Sequence, residues 1–120
     1  MKFGFEDLEV WDKAVNFAVK VIETAETISS QNRKHYRLFE QVEACSTSVA
    51  MNIAEGKGRF SKKEFKHYLY VARGSLYETM TLLEILRKLK WIPDESVDEI
   101  AERGKEIASM TKGLINSLDN

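Results

Sequence analysis

Apolar residues recur at spacings of three and four along almost the whole chain, and strand-like alternation is absent. Near the N-terminus Leu8, Trp11, Val15, Ala18, Ile22 and Ala25 form a stripe that predicts a helix over residues 7–28. The polar run Ser-Ser-Gln-Asn-Arg-Lys at 29–34 ends it. A second helix is predicted over 36–55, with Leu38, Val42, Cys45, Val49 and Ile53 inward. Ala44, Cys45, Ser46, Ser48 and Ala50 are small, which lets a neighbouring helix come close. Gly56 and Gly58 follow. They are expected to supply a C-cap, because glycine takes the left-handed conformation without a Cβ penalty.

The third helix, predicted over 61–91, has the clearest start signal. Ser61 and Glu64 have the spacing of a capping box, and Phe60 and Phe65 that of a hydrophobic staple. Phe65, Leu69, Ala72, Leu76, Thr79, Leu83 and Leu86 then alternate spacings of four and three, the seam of left-handed bundle packing. Trp91-Ile92-Pro93 breaks this helix, and Asp94 is expected to cap a fourth, over 94–118. There the seam is Val97, Ala101, Gly104, Ala108, Thr111, Ile115 and Leu118. Four helices with short connections predict an all-α fold, an up-down-up-down antiparallel four-helix bundle, as a single domain over 1–120.

Composition narrows the class. A chain of 120 residues with 31% charged and 43% hydrophobic residues can bury one core and is not of disordered composition. A single cysteine, Cys45, cannot form an internal disulfide. The opening MKFGFEDLEVWDK has acids where a signal peptide would be apolar, and no apolar run reaches membrane-spanning length. A soluble, cytoplasmic protein with no membrane partner is expected. The formal net charge is -1, yet six Lys or Arg lie between Lys57 and Arg73 against one acid, Glu64, a local net of +5. Charge held against the overall balance points to a partner.

The opening FEDLEVWDKA, the NIAEGKGR segment and the ARGSLYE segment, in this order and spacing, resemble the four-helix-bundle proteins encoded in intervening sequences of bacterial 23S ribosomal RNA genes. The resemblance implies a bacterial protein, an up-down bundle and a ring-like homo-oligomer, commonly a pentamer. A related group comprises the accessory proteins of diversity-generating retroelements, which work with a reverse transcriptase and bind nucleic acid. The family's molecular role is not settled, so the resemblance speaks to fold more than to function.

Candidate sites follow from residue type and spacing. Lys57, Arg59, Lys62, Lys63, Lys66 and Arg73 are the candidate nucleic-acid-binding residues. Positive charge at a helix N-terminus opposes the dipole, so it is either compensated or held for phosphate. His67 and Tyr68 could add stacking. The alternative is a solvated face, balanced by acids of a neighbouring helix or subunit; Glu6, Asp7, Glu9, Asp12, Glu23 and Glu26 make the first helix acidic. Asn52, Glu55, Ser75 and Glu78 fall at packing positions. They predict a buried polar network that fixes register rather than a carboxylate active site, since no nucleophile–base pair accompanies them. Glu64-x-x-His67 is one of the two Glu-x-x-His motifs that a di-iron bundle uses beside two further glutamates, too little for a metal site. Cys45 reads as a buried, inert thiol, and Gly74 as a point of close helix approach. No cofactor, metal or catalytic residue is expected. The leading expectation is a non-enzymatic homo-oligomeric bundle whose 57–73 face binds RNA, DNA or a ribonucleoprotein. The rival is an interaction or scaffold module whose basic face pairs with a neighbouring subunit's acidic helices.

Overall fold

A computed structural model describes residues 2–29 and 35–119. A 3-10 turn, η1 (Gly4–Asp7), leads into four helices: α1 (Glu9–Ser29), α2 (Tyr36–Lys57), α3 (Lys62–Lys88) and α4 (Asp94–Ser117). The polar run expected to end the first helix lies, from residue 30, outside the described residues. Each helix packs on its neighbours in sequence, and α4 closes against α1. Ion pairs give the directions. Lys13 of α1 meets Glu106 of α4, while Lys20, further along α1, meets Glu99, earlier in α4. Lys66 at the start of α3 meets Asp119 just past the end of α4, and Arg87 at its end meets Asp98 at the start of α4. Both pairs of helices are therefore antiparallel, and the predicted up-down-up-down bundle is the fold.

The α3 seam is buried at every predicted position, from Phe65 to Leu86. In α1 the buried stripe is rotated from the predicted one. Val10, Ala14, Phe17, Val21 and Ile28 face the core and the predicted Ala18 and Ala25 are buried beside them, while Leu8, Trp11 and Val15 only pack against its edge. Helix one carries two adjacent apolar arcs, and Phe17 is fully buried on the inner one.

Local signals at the helix ends resolve differently from expectation. Neither Gly56 nor Gly58 is left-handed: Gly58 caps α2 at φ -78°, and no glycine among the described residues has positive φ. Gly56 lies inside α2, and its role is spatial. A Cβ there would stand 2.7 Å from Tyr68 Cβ and 3.0 Å from a Phe65 ring carbon, so the missing side chain lets α2 rest on α3. Phe65 is seated against that glycine, and Phe60 is left fully exposed, so no staple forms. Ser61 Oγ accepts the Glu64 N–H at 3.1 Å, which is one half of the predicted capping box. Pro93, not Asp94, is the N-cap of α4; the Ser96 N–H bonds the Pro93 carbonyl at 3.1 Å.

Helix α3 stops three residues before the predicted break, at Lys88. The Trp91 N–H bonds the Leu86 carbonyl at 3.0 Å and the Lys90 N–H bonds the Arg87 carbonyl at 2.9 Å, the paired bonds of a Schellman cap. Lys90 takes the left-handed position at φ 62°, where glycine is the usual residue.

Candidate nucleic-acid interface

The six cations of the 57–73 cluster do not form one patch. The α2–α3 turn splits five of them between two grooves, and Arg73 lies further along α3. Lys57 and Arg59 border a groove of about 670 Å³ with Phe3, Phe5 and Met51. Lys62, Lys63 and Lys66 border a second, of about 530 Å³, between the start of α3 and the end of α4, with Tyr70 and Asp119.

In the first groove the positive charge is largely engaged. Arg59 donates to Glu55 and to the Tyr68 hydroxyl at 2.7 Å, and its guanidinium lies 4.9 Å from the Tyr68 ring centroid. Lys57 Nζ stands 5.8 Å from the Phe65 ring. Tyr68, expected to stack on a ligand, is instead half-buried, with its hydroxyl accepting from Arg59. Tyr68 first and Glu55 after it hold Arg59 above its ordinary value, which leaves an always-charged group charged.

In the second groove Lys66 is paired with Asp119. That hydrogen bond holds its ammonium above the ordinary 10.5. The sign follows: the pair stabilises the fold below the unfolded lysine value, and the contribution is lost as pH rises through the raised one. Lys63 is exposed and forms no ion pair among the described residues. Further along α3, the Arg73 guanidinium lies 4.9 Å from the Tyr70 ring and 5.9 Å from the Tyr77 ring.

On the α3–α4 register fixed by Lys66–Asp119 and Arg87–Asp98, Lys112 stands level with Arg73. Lys105 borders an apolar groove of about 250 Å³ with Tyr77 and Met80. The positive stripe thus continues onto α4 through Lys105 and Lys112. Reading α3 alone missed both lysines. Their separation of seven residues on one helix is the signal that would have found them once α4 was set beside α3.

Of the four residues expected in a polar network, Asn52 and Ser75 come together, through Ser48. Ser48 Oγ and Ser75 Oγ are 2.9 Å apart across α2 and α3. Asn52 Nδ2 donates to the Ser48 carbonyl and hydroxyl, each at 2.8 Å. Glu55 lies outside this group, paired with Arg59, and Glu78 is exposed with no hydrogen bond among the described residues. Ser48 is the member the sequence did not single out. Below it Thr79 Oγ1 donates to the Ser75 carbonyl at 2.8 Å and to Cys45 Sγ at 3.2 Å. Burial pushes the Cys45 thiol up, so it is a poor nucleophile. Among the described residues no group of three or more His, Cys, Asp or Glu side chains gathers as a metal would need, and no helix is long and apolar enough to cross a membrane.

The comparisons agree with this fold. A family model for the 23S rRNA-intervening sequence protein matches residues 6–113. The chain belongs to this family. A crystal structure of a protein of unknown function from the S23 ribosomal protein family of Bacteroides thetaiotaomicron superposes with a TM-score of 0.82 at 26% identity, over 88% of this chain and 96% of that one. No curated protein matches the chain. Neither the 23S rRNA-intervening sequence family nor this structural neighbour brings a known enzymatic activity.

Proposed function

We propose that this family member is a non-enzymatic, homo-oligomeric bundle that binds nucleic acid along the α3–α4 stripe. The observation that carries the reading is the unequal pairing of charge. On the α1–α4 side Lys13 and Lys20 are each matched to a glutamate. On the α3–α4 side Lys66 and Lys105 are paired with Asp119 and Glu102, but Lys63 and Lys112 are exposed with no ion pair among the described residues. Unmatched cations on an open face fit phosphates, each contact releasing counterions.

The homo-oligomer is supported by the flank of α3 next to the tyrosines, where Gly74 stands one turn from both Tyr70 and Tyr77. Gly74 is a helix-interior glycine costing about 1 kcal/mol relative to alanine. Yet nothing in its own chain lies within 4 Å of where its Cβ would be. Val71, Ile85 and Leu89 are also exposed, at 38%, 44% and 47%. A helix of another copy packed on the Val71–Ile85 flank, with Gly74 at its edge, would account for both features, and the family resemblance suggests a pentameric ring.

Binding of a structured RNA in a salt titration tests the function. The wild type is expected to bind at low salt and to weaken steeply as salt rises. A Lys62→Glu, Lys63→Glu, Lys66→Glu variant of unchanged mass and helicity is expected to lose at least about 100-fold in affinity. Equal affinity of the two proteins would end the proposal.

A further inference from the structure

The Tyr70–Arg73–Tyr77 ladder is chemically unlike the rest of the stripe. Tyr70 is 44% and Tyr77 is 54% exposed, and neither hydroxyl has a hydrogen-bond partner among the described residues. A tyrosine recruited for the fold would bury its ring and satisfy its hydroxyl. These two rings instead hold one guanidinium between them, at 4.9 and 5.9 Å, and leave much of their surface to solvent. The planar N–H edge of this guanidinium suits the bidentate contact that arginine makes with phosphate.

We infer that this ladder is a stacking platform for unpaired bases, so that the ligand of the stripe is single-stranded nucleic acid or an unpaired segment of a folded RNA. The inference rests on the nucleic-acid reading above and specifies its substrate class. A duplex keeps its bases stacked on one another and offers only phosphates and groove edges, for which lysines suffice. Exposed rings beside cations match the chemistry of a single strand, where any base can lie on an aromatic face while the backbone follows the positive charge. Spacing favours the same ligand. Tyr70 and Tyr77 are two turns apart, about 10 Å along the helix axis. That is far more than the roughly 3.4 Å between stacked neighbours in a duplex strand. The two rings therefore address bases that are splayed apart.

Charge along the ladder is consistent with a polyanion. Lys63 and Lys66 flank it at one end, and Lys105 borders the groove beside Tyr77 at the other. Asp119 and Glu102, the acids nearest these lysines, are taken up by Lys66 and Lys105. At about 100° per residue Glu64 and Glu78 project from α3 away from the Tyr70–Tyr77 line, and Glu84, the first acid on it, is bound by Arg87.

Fluorescence anisotropy with a labelled RNA of about 12 nucleotides, used unpaired and as its duplex, tests the inference. The wild type is expected to bind the unpaired strand more tightly than the duplex. Tyr70→Ala and Tyr77→Ala are each expected to weaken the unpaired strand about tenfold or more, with Tyr→Phe at either position retaining affinity and the salt slope unchanged. Unchanged affinity in both alanine variants, with loss in the triple-glutamate variant, would overturn the platform and leave the phosphate reading standing. No binding of either RNA by the wild type would overturn both. A change of solution mass in the alanine variants without a change of affinity would mean that the rings cover a second copy, and would overturn the platform as well.

Discussion

The two seams of α3 use polar residues in opposite ways. Against α2, Ser48, Asn52 and Ser75 bond one another, Thr79 bonds Cys45, and Gly56 lets the helices touch. Against α4, cations and tyrosines line shallow grooves, and only Lys66 and Arg87 of α3 are ion-paired across the seam. A polar group in a closed seam must find its partner within the fold, because leaving it unpaired is costly. A polar group in an open groove is solvated at little cost and stays available. The first seam explains the hairpin, and the second is where binding is to be sought.

The largest expected effect breaks the closed seam. Gly56→Ala gains about 1 kcal/mol of helix propensity. It also places a methyl 2.7 Å from Tyr68 Cβ, an atom fixed to the α3 backbone that cannot swing away. The clash wins, and chemical denaturation should show a net loss of about 2 kcal/mol. Gly74→Ala meets nothing in its own chain and should raise the stability of the isolated subunit by about 1 kcal/mol while weakening self-association, read by mass measurement against concentration. The opposite signs at two helix-interior glycines sharpen the contrast between an inner and an outer face.

Ser75→Ala should cost about 1 kcal/mol in the same assay, since Ser48 and Asn52 keep each other but lose the link to α3. Lys90→Gly, at the left-handed Schellman position between α3 and α4, should stabilise by roughly 0.5 to 1 kcal/mol. In the open seam, Lys112→Gln should change stability by less than about 0.5 kcal/mol, because the side chain is exposed and unpaired among the described residues.

Element count, order and the whole α3 seam were legible in the sequence because one strong period runs from Phe65 to Leu86 without interruption. The α1 face was not, because its two apolar arcs satisfy the same period and only the neighbours choose between them. Gly56 was recognised as a helix-end signal, but its role depends on Tyr68 and Phe65 in the next helix, which local capping rules do not see. The candidate site divides the same way. Lys62, Lys63 and Lys66 were visible as a charge run, whereas the loss of Arg59 to Glu55 and Tyr68, and the gain of Lys105 and Lys112, depend on the fold. Tyr70 and Tyr77 replace Tyr68 as the exposed rings for the same reason.

The central claim is that the unpaired lysines beside the α3–α4 seam, Lys63 and Lys112, meet phosphate while Lys13 and Lys20 of the α1–α4 seam serve the fold. The salt dependence of RNA binding tests it most directly, measured for the wild type, for Lys63→Gln with Lys112→Gln, and for Lys13→Gln with Lys20→Gln. The first double variant should flatten the slope of log affinity against log salt by about 0.7 to 0.9 for each lost contact, and the second should leave it unchanged. An equal change in both, or a change in the second alone, would contradict the account.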